Sequence, residues 1–176
     1  MKPLKCLLLW VLCLFWIADA QAQTKAKVSL KDLQKACGHW TGSLTYIDYS
    51  SGKPYTMPAD LEVKRIGKTN RFAFANLYPD EPNANDTDTL TLAADGKSLN
   101  GETVKSRRKL SNGDIEVVTE EAGRDGNDNK PATFRHTYLF GKTKFSRKKE
   151  VQFQGETTWI KRHEYRYERK KHTGNR

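Results

Sequence analysis

Cysteine is scarce in this sequence. The 176 residues include 3 cysteines, and Cys6 and Cys13 both lie in a hydrophobic segment at the start of the chain. If that segment is removed, Cys37 alone remains, so no internal disulfide can form. The domain must then be held together by a hydrophobic core and by strand pairing, and we expect Cys37 to pack as a small apolar side chain.

Long hydrophobic runs are also lacking, apart from residues 7–18 (LLLWVLCLFWIA). Two lysines precede this run, and small residues two apart, Ala20 and Ala22, follow it. A transmembrane helix needs about 20 apolar residues, whereas the core of a secretory signal needs roughly 7–15. We therefore predict a signal peptide at residues 1–22 and one mature domain at residues 23–176. The mature protein would be periplasmic or secreted and would have no membrane span.

Motifs of catalysis and metal binding are absent as well. The sequence has no serine nucleophile elbow, no HExxH pair and no glycine-rich phosphate loop. Asp125, Asn127 and Asn129 repeat at the odd spacing of a calcium loop. That loop requires glycine where Lys130 stands and a bidentate glutamate where His136 stands. We therefore predict that the protein is not an enzyme and that it holds no metal.

Acidic residues are outnumbered. Against 31 Lys and Arg there are 21 Asp and Glu, which gives a formal net charge of +10 at pH 7. Outside the cytoplasm, this surplus favours acidic glycans, lipid head groups or a carboxylate ligand as partners. Tyr165 and Tyr167 alternate with basic residues near the C-terminus, as in some nucleic-acid surfaces. Export argues against a nucleic acid, and we expect none.

The sequence does contain many short segments in which apolar and polar residues alternate, separated by turn signals. Before them, Ser29 and apolar residues three apart predict a short helix that ends near Ala36. Asp95-Gly96 and Asn112-Gly113 are hairpin signals. Strands are predicted at residues 39–49, 57–66, 71–78, 87–93, 98–104, 104–110, 114–121, 133–140, 145–153 and 157–169.

This pattern predicts an all-β fold. We expect an antiparallel up-and-down β-barrel of about 8–10 strands after the short N-terminal helix. The rival fold is an immunoglobulin-like sandwich, which is disfavoured because the sequence lacks the pair of cysteines that would bracket a core tryptophan.

The first strand opens with Gly38-His39-Trp40, a G-x-W motif directly after the predicted helix. This motif, the sequential strands and the basic last strand together resemble the lipocalin and fatty-acid-binding superfamily, the calycins, over essentially all of residues 23–176. The resemblance implies that Trp40 packs across the closed end of the barrel beneath an Arg or Lys from a late strand. We expect Arg162 or Arg166 to supply this cation, which is worth on the order of 1 kcal/mol over an indole.

A barrel of this kind holds its ligand in a lumen lined by alternate residues of each strand. Within the strand at 145–153, Arg147 shares a face with Lys149. Either both cations point inward, where they would suit a carboxylate, or a bulge breaks the alternation. The faces that carry aromatic side chains and this strand give the lumen candidates: Tyr46, Phe72, Phe74, His136, Tyr138, Arg147, Trp159, His163 and Tyr165.

Two ligand classes known in the superfamily bear on these candidates. Fatty-acid-binding relatives hold a carboxylate with an Arg two residues before a Tyr on the last strand, and here His163 stands in that place before Tyr165. Haem-binding barrels carry an inward histidine, and both His136 and His163 have the required parity. A single histidine among aromatic side chains is more often a core residue, so we expect no cofactor.

Together these observations predict an exported lipocalin-like carrier of a small apolar or amphipathic ligand, with an anionic group on that ligand as an open alternative. The other hypothesis is a non-catalytic envelope protein that uses the barrel as a scaffold. Its basic surface, including Lys148, Lys161 and Arg169, would bind acidic glycans, lipid head groups or a protein partner.

Overall fold

The computed structural model describes residues 26–48 and 51–170, so the predicted signal peptide lies outside the described residues. The described chain forms one short helix, a single 3-10 turn at Pro82–Ala84 and eleven strands. None of its helices is long and apolar enough to cross a membrane. The elements are α1 (Leu30–Gln34), β1 (Gly38–Ile47), β2 (Pro54–Pro58), β3 (Asp60–Arg65), β4 (Arg71–Leu77), β5 (Asp86–Thr91), β6 (Ser98–Leu99), β7 (Glu102–Lys109), β8 (Ile115–Asp125), β9 (Lys130–Phe140), β10 (Lys144–Phe153) and β11 (Ile160–Arg169).

The strands form one antiparallel sheet that returns to its first strand. β1 pairs with β11 along one edge and with β2 and β3, which lie end to end, along the other. From β3 to β11 the sheet runs as an up-and-down meander. The predicted all-β antiparallel barrel with a short N-terminal helix is therefore confirmed.

The barrel is nearly closed, and its weak point lies between β5 and β7. Only the bridge between Leu92 and Leu99 joins β5 to the short β6, and β6 contributes two residues to the ladder with β7. Beyond this bridge, no described strand pairs with the free edge of β5. A slot therefore opens in the barrel wall between β5 and β7.

The strand predicted at residues 98–104 is wrong as a continuous element. A tight turn at Asn100-Gly101 divides it into β6 and the start of β7. Both turn residues have positive φ, 54° and 86°, which is the conformation that an Asn-Gly hairpin turn requires. The Asn100 side chain also accepts a hydrogen bond from the backbone N–H of Thr91 at 2.6 Å. The Asn-Gly pair was therefore a turn signal within the predicted strand.

Trp40 closes one end of the barrel. It is 1% exposed, and its indole N–H donates to the carbonyl oxygen of Ala36 at 2.7 Å. The guanidinium carbon of Arg169 lies 4.1 Å from the centre of the Trp40 ring. Arg169 also donates to the carbonyl oxygens of Lys35 (2.8 Å) and Cys37 (2.9 Å), just beyond the C-terminal end of α1, where carbonyls lack helical partners. One arginine thus joins the last strand to both the helix and the tryptophan.

The prediction that Arg162 or Arg166 covers Trp40 is wrong. Residue 169 lies directly opposite Trp40 in the β1–β11 ladder, so their side chains share a face. Arg166 has the opposite parity and binds Glu164 on the exposed surface, at 2.9 Å from Nε to Oε1. Arg162 forms an ion pair with Asp125. The sequence motif indicated a cation on the last strand, and the register decides which one.

Replacing Arg169 with alanine should destabilise the protein more than the same change at Arg166. The R169A variant loses a cation–π contact worth on the order of 1 kcal/mol and hydrogen bonds to buried carbonyls worth about 1 kcal/mol each. We expect the free energy of unfolding, measured by urea titration with tryptophan fluorescence, to fall by about 2–3 kcal/mol. The R166A control should change it by less than about 0.5 kcal/mol; equal losses would contradict the assigned role of Arg169.

Candidate ligand-binding cavity

Three neighbouring strands, β9, β10 and β11, place their inward side chains in rows. Side chains alternate between the two faces of a strand, and the ladders align every second residue across the three strands. The floor row, which touches Trp40 through Phe145 at 6.0 Å between ring centres, is entirely aromatic. The rows are Phe140, Phe145 and Tyr167 (floor row), Tyr138, Arg147 and Tyr165 (middle row), and His136, Lys149 and His163 (upper row).

A cavity with a volume of about 350 Å³ lies above the floor row. This volume is near the lower end of the range of small-molecule sites, about 300–1,000 Å³. The cavity extends from the middle and upper rows to the slot between β5 and β7. Its lining residues are Phe74, Asp88, Thr89, Leu90, Asn100, Glu102, His136, Tyr138, Arg147, Lys149, His163 and Tyr165.

Arg147 is a cation inside the barrel. Its side chain is 19% exposed, and its guanidinium carbon lies 4.7 Å from the centre of the Tyr165 ring. The nearest acid is Asp88, whose Oδ2 is 3.6 Å from Nη1, which is too long for a hydrogen bond. By contrast, Arg107 donates two hydrogen bonds to Asp32 at 2.7 and 2.9 Å. Within the described residues, the Arg147 guanidinium therefore makes no hydrogen bond, and its N–H donors are available to a ligand.

The upper row adds two more donors. The Lys149 ammonium lies 4.1 Å from the centre of the Phe134 ring and forms no ion pair within the part of the chain that the structure describes. Burial, with help from the charges of Arg147 and Lys149, lowers the pKa of His163 to about 4. The His163 imidazole is therefore neutral at neutral pH. The cations are Arg147, at the centre of the middle row, and Lys149, at the centre of the upper row.

Glu102 and His136 form a hydrogen-bonded pair at the other side of the upper row. Glu102 is 6% exposed, and its carboxylate accepts hydrogen bonds from the Thr119 hydroxyl and from Nδ1 of His136, the latter at 2.9 Å. Because a carboxylate accepts, Nδ1 must carry a proton, and in the neutral ring Nε2 is then the acceptor. This acid is already engaged by protein donors.

The comparisons with known proteins support the fold. The chain is similar to the crystal structure of Rv2717c from M. tuberculosis, with a TM-score of 0.54 and 12% sequence identity over 81% of this chain and 97% of that chain. This likeness shows that the two chains share an antiparallel β-barrel fold. A second similar structure is a DUF3598-family protein of unknown function from Nostoc punctiforme PCC 73102 (TM-score 0.37, 14% identity, 82% of this chain and 50% of that chain). No family model and no curated protein matches the sequence.

Most of the predicted lumen residues do line the cavity. The structure brings together Phe74, His136, Tyr138, Arg147, His163 and Tyr165. It also answers the question left open at the strand 145–153, because Arg147 and Lys149 both face inward.

Two other candidates lie near the cavity without lining it. Phe72 is fully buried in the core. It lies two residues before Phe74 on the same face of β4. Tyr46 lies opposite His163 in the β1–β11 ladder, and its ring packs against Tyr55 with 5.6 Å between ring centres. Both predictions placed the side chain on the inward face of its strand, but neither side chain reaches the level of the barrel at which the cavity lies.

Trp159 does not belong to the lumen, and its prediction is wrong. The Arg135 guanidinium lies 3.7 Å from the centre of its ring, and Arg135 points away from the cavity. The reason is a register shift between β10 and β11: Lys149 is opposite His163, but the next residue, Glu150, is opposite Lys161. The shift reverses the alternation, so that Ile160 rather than Lys161 pairs with the inward Val151, and Trp159 falls on the outer face. A bulge of this kind leaves no signal in the sequence.

Sequence reasoning missed the acids of the cavity. Asp88 is two residues before the buried Leu90, so the parity of β5 was a usable signal for an inward carboxylate. Glu102 had no such signal, because the turn at Asn100-Gly101 that sets its parity was not recognised. Among the described residues, no cluster of His, Cys, Asp and Glu is arranged to hold a metal ion.

The cysteine among the described residues, Cys37, and the basic exterior can also be located. Cys37 is half-buried against the core, and burial raises the pKa of its thiol. On the outer face, Lys148 pairs with Glu150 at 2.9 Å and Lys161 with Glu164 at 3.3 Å. Glutamates therefore partly neutralise the surface that was expected to meet an acidic partner, and that binding stays a prediction.

Acidification should destabilise the protein partly through His163. An unfolded chain protonates this residue near pH 6.5, whereas the folded protein resists protonation until about pH 4. Between these values the unfolded state binds more protons, so the free energy of unfolding falls as the pH falls. The H163Q variant lacks this contribution, so its free energy of unfolding should fall between pH 7 and pH 4 by up to about 3 kcal/mol less than that of the unaltered protein. Urea unfolding at pH 7, 5.5 and 4 measures this difference.

A matched control is His39→Gln, because His39 is 62% exposed. Its pH dependence should follow that of the unaltered protein. If the H163Q profile were equally steep, His163 would not be the buried neutral histidine that the geometry describes.

Proposed function

We propose that this protein is an exported binding protein whose barrel holds a small ligand bearing an anionic group. The observation that carries the proposal is Arg147, a largely buried guanidinium that lines a cavity and donates no hydrogen bond within the described residues. Burying a charge without hydrogen-bonding partners costs several kcal/mol. A bound oxyanion would offset that cost, which is a physical reason for the charge to lie there.

A carboxylate suits this site best among small anions. The guanidinium group presents two parallel N–H donors that match the two oxygens of a carboxylate. Lys149 and the neutral His163 line the same cavity and supply further donors, although His163 does so only through its protonated ring nitrogen. The aromatic and aliphatic groups of Phe74, Leu90 and Tyr165 leave apolar surface for the rest of the ligand.

The size of the cavity limits the ligand to a compact molecule, since about 350 Å³ is small for a lipid-carrying site. The proposal therefore keeps the lumen carrier predicted from the sequence, but it makes the anionic group central and the apolar part secondary. A binding role rather than a catalytic one is also proposed here, and the lack of an assembled catalytic motif in the sequence supports it.

Replacing Arg147 should abolish most of the binding of a small aromatic carboxylate. The R147M variant keeps an unbranched, apolar stem of the side chain and removes the guanidinium group with its charge. Hydrogen bonds to charged groups are worth about 1.5–3 kcal/mol, so the affinity for 3-phenylpropionate should fall by about 10- to 100-fold. Isothermal titration calorimetry on the mature protein at low salt measures this change.

The control is Arg166→Met, which removes an exposed cation on the outer face and should leave the affinity unchanged. Circular dichroism should show that both variants are folded. Unaltered binding in R147M would contradict the proposal.

A further inference from the structure

The wall opposite the cationic rows carries acidic and amide side chains. On β5, Asp86 and Asp88 share a face, and Asn76 lies opposite Asp86 on β4. The Asn76 amide donates to Asp86 Oδ1 at 2.7 Å and to Asp88 Oδ2 at 3.2 Å. Asn76 is 2% exposed, and its own Oδ1 has no hydrogen-bond partner within the described residues. This wall is therefore rich in acceptors, just as the facing rows are rich in donors.

Asp88 is the acid that remains available to a ligand. It lines the cavity, and its side chain is 54% exposed. Its contact with Arg147, at 3.6 Å, is an ion pair without a hydrogen bond. Glu102 also lines the cavity, but Thr119 and His136 already donate to its carboxylate. The cavity thus has a negative pole at Asp88 beside a positive pole at Arg147.

This polarity restricts the ligand more closely than its volume does. A simple anion bound at Arg147 would lie next to the Asp88 carboxylate and be repelled by it. A simple cation bound at Asp88 would lie next to Arg147 and Lys149 and be repelled in turn. A molecule that carries both charges satisfies both poles, because its ammonium group can donate to Asp88 while its carboxylate accepts from Arg147.

We infer that the ligand is a zwitterion in which the ammonium and carboxylate groups are close together, as on the single α-carbon of an amino acid. The short distance of 3.6 Å between the two poles favours adjacent charges over widely separated ones. The apolar lining by Phe74, Leu90 and Tyr165 favours an amino acid with an apolar or aromatic side chain. This inference rests on the proposed function, since it assigns the anionic group to the same Arg147.

Three probes with one phenyl side chain test the inference on the unaltered mature protein. They are L-phenylalanine, 3-phenylpropionate, which lacks the ammonium group, and 2-phenylethylamine, which lacks the carboxylate. Calorimetric titration should show that L-phenylalanine binds at least about tenfold more tightly than either analogue, as one charge-assisted hydrogen bond is worth that much.

The D88N variant should remove the preference. Asparagine keeps the shape of the side chain but not its charge, so L-phenylalanine should bind about tenfold more weakly and 3-phenylpropionate as well as before or better. The control is Asp95→Asn, an acid of similar exposure (57%) that pairs with Lys97 in a hairpin outside the cavity. It should leave all three affinities unchanged.

The possible failures can be told apart. If 3-phenylpropionate binds as tightly as L-phenylalanine, depends on Arg147 and is indifferent to D88N, the zwitterion inference is overturned while the proposed anion site stands. If 3-phenylpropionate binding does not depend on Arg147, or none of the probes binds at millimolar concentration, both are overturned. Since the comparison of probes is made on the unaltered protein, it does not depend on the folding of any variant.

Discussion

The return of β11 to β1 is the constraint on which the rest of the structure depends. Nothing covalent closes this barrel within the described residues, because Cys37 is a free thiol. The strands meet closely at Gly42, where a Cβ atom would lie 2.0 Å from the carbonyl oxygen of Arg166. Glycine is therefore required there for the two backbones to approach. Once this ladder is in register, Arg169 is opposite Trp40, and antiparallel pairing aligns the inward rows of β9, β10 and β11.

Closure has an energetic consequence, because it encloses charges. Arg147 and Lys149 lie on the same face of β10 as the buried Phe145 and Val151. Removing such groups from water opposes folding, and the aromatic rings beside them recover only part of the cost. The floor row and Trp40 below are apolar and tightly packed. The floor row and Trp40 thus stabilise the folded state. The cavity rows above them, with Arg147 and Lys149, lower the free energy of unfolding and are suited to binding a ligand.

Most of the architecture could be predicted from local pattern, and much of the cavity from parity. The alternation around Phe72 and Phe74, and around Tyr138 and Tyr165, identified inward faces without any knowledge of neighbouring strands. The predictions failed where a single extra residue or an unrecognised turn changed which side chains of a strand face inward. The bulge at Arg162 moved Trp159 out of the lumen, and the Asn100-Gly101 turn brought Glu102 into it. A period-two pattern cannot locate such single-residue insertions, because each one reverses all the alternation that follows.

The sequence by itself determined a series of short, sequential antiparallel strands after a short helix, since alternation and hairpin signals are local properties. The resemblance at G-x-W implied a closed barrel with a tryptophan at one end. The sequence also predicted a basic protein with a cation face on β10. Only the tertiary structure decided that Asp88 faces Arg147, that Glu102 is already bound by His136, and that Arg169 is the cation over Trp40. These are contacts between residues far apart in the chain, and they depend on register and on barrel closure, which no local pattern encodes.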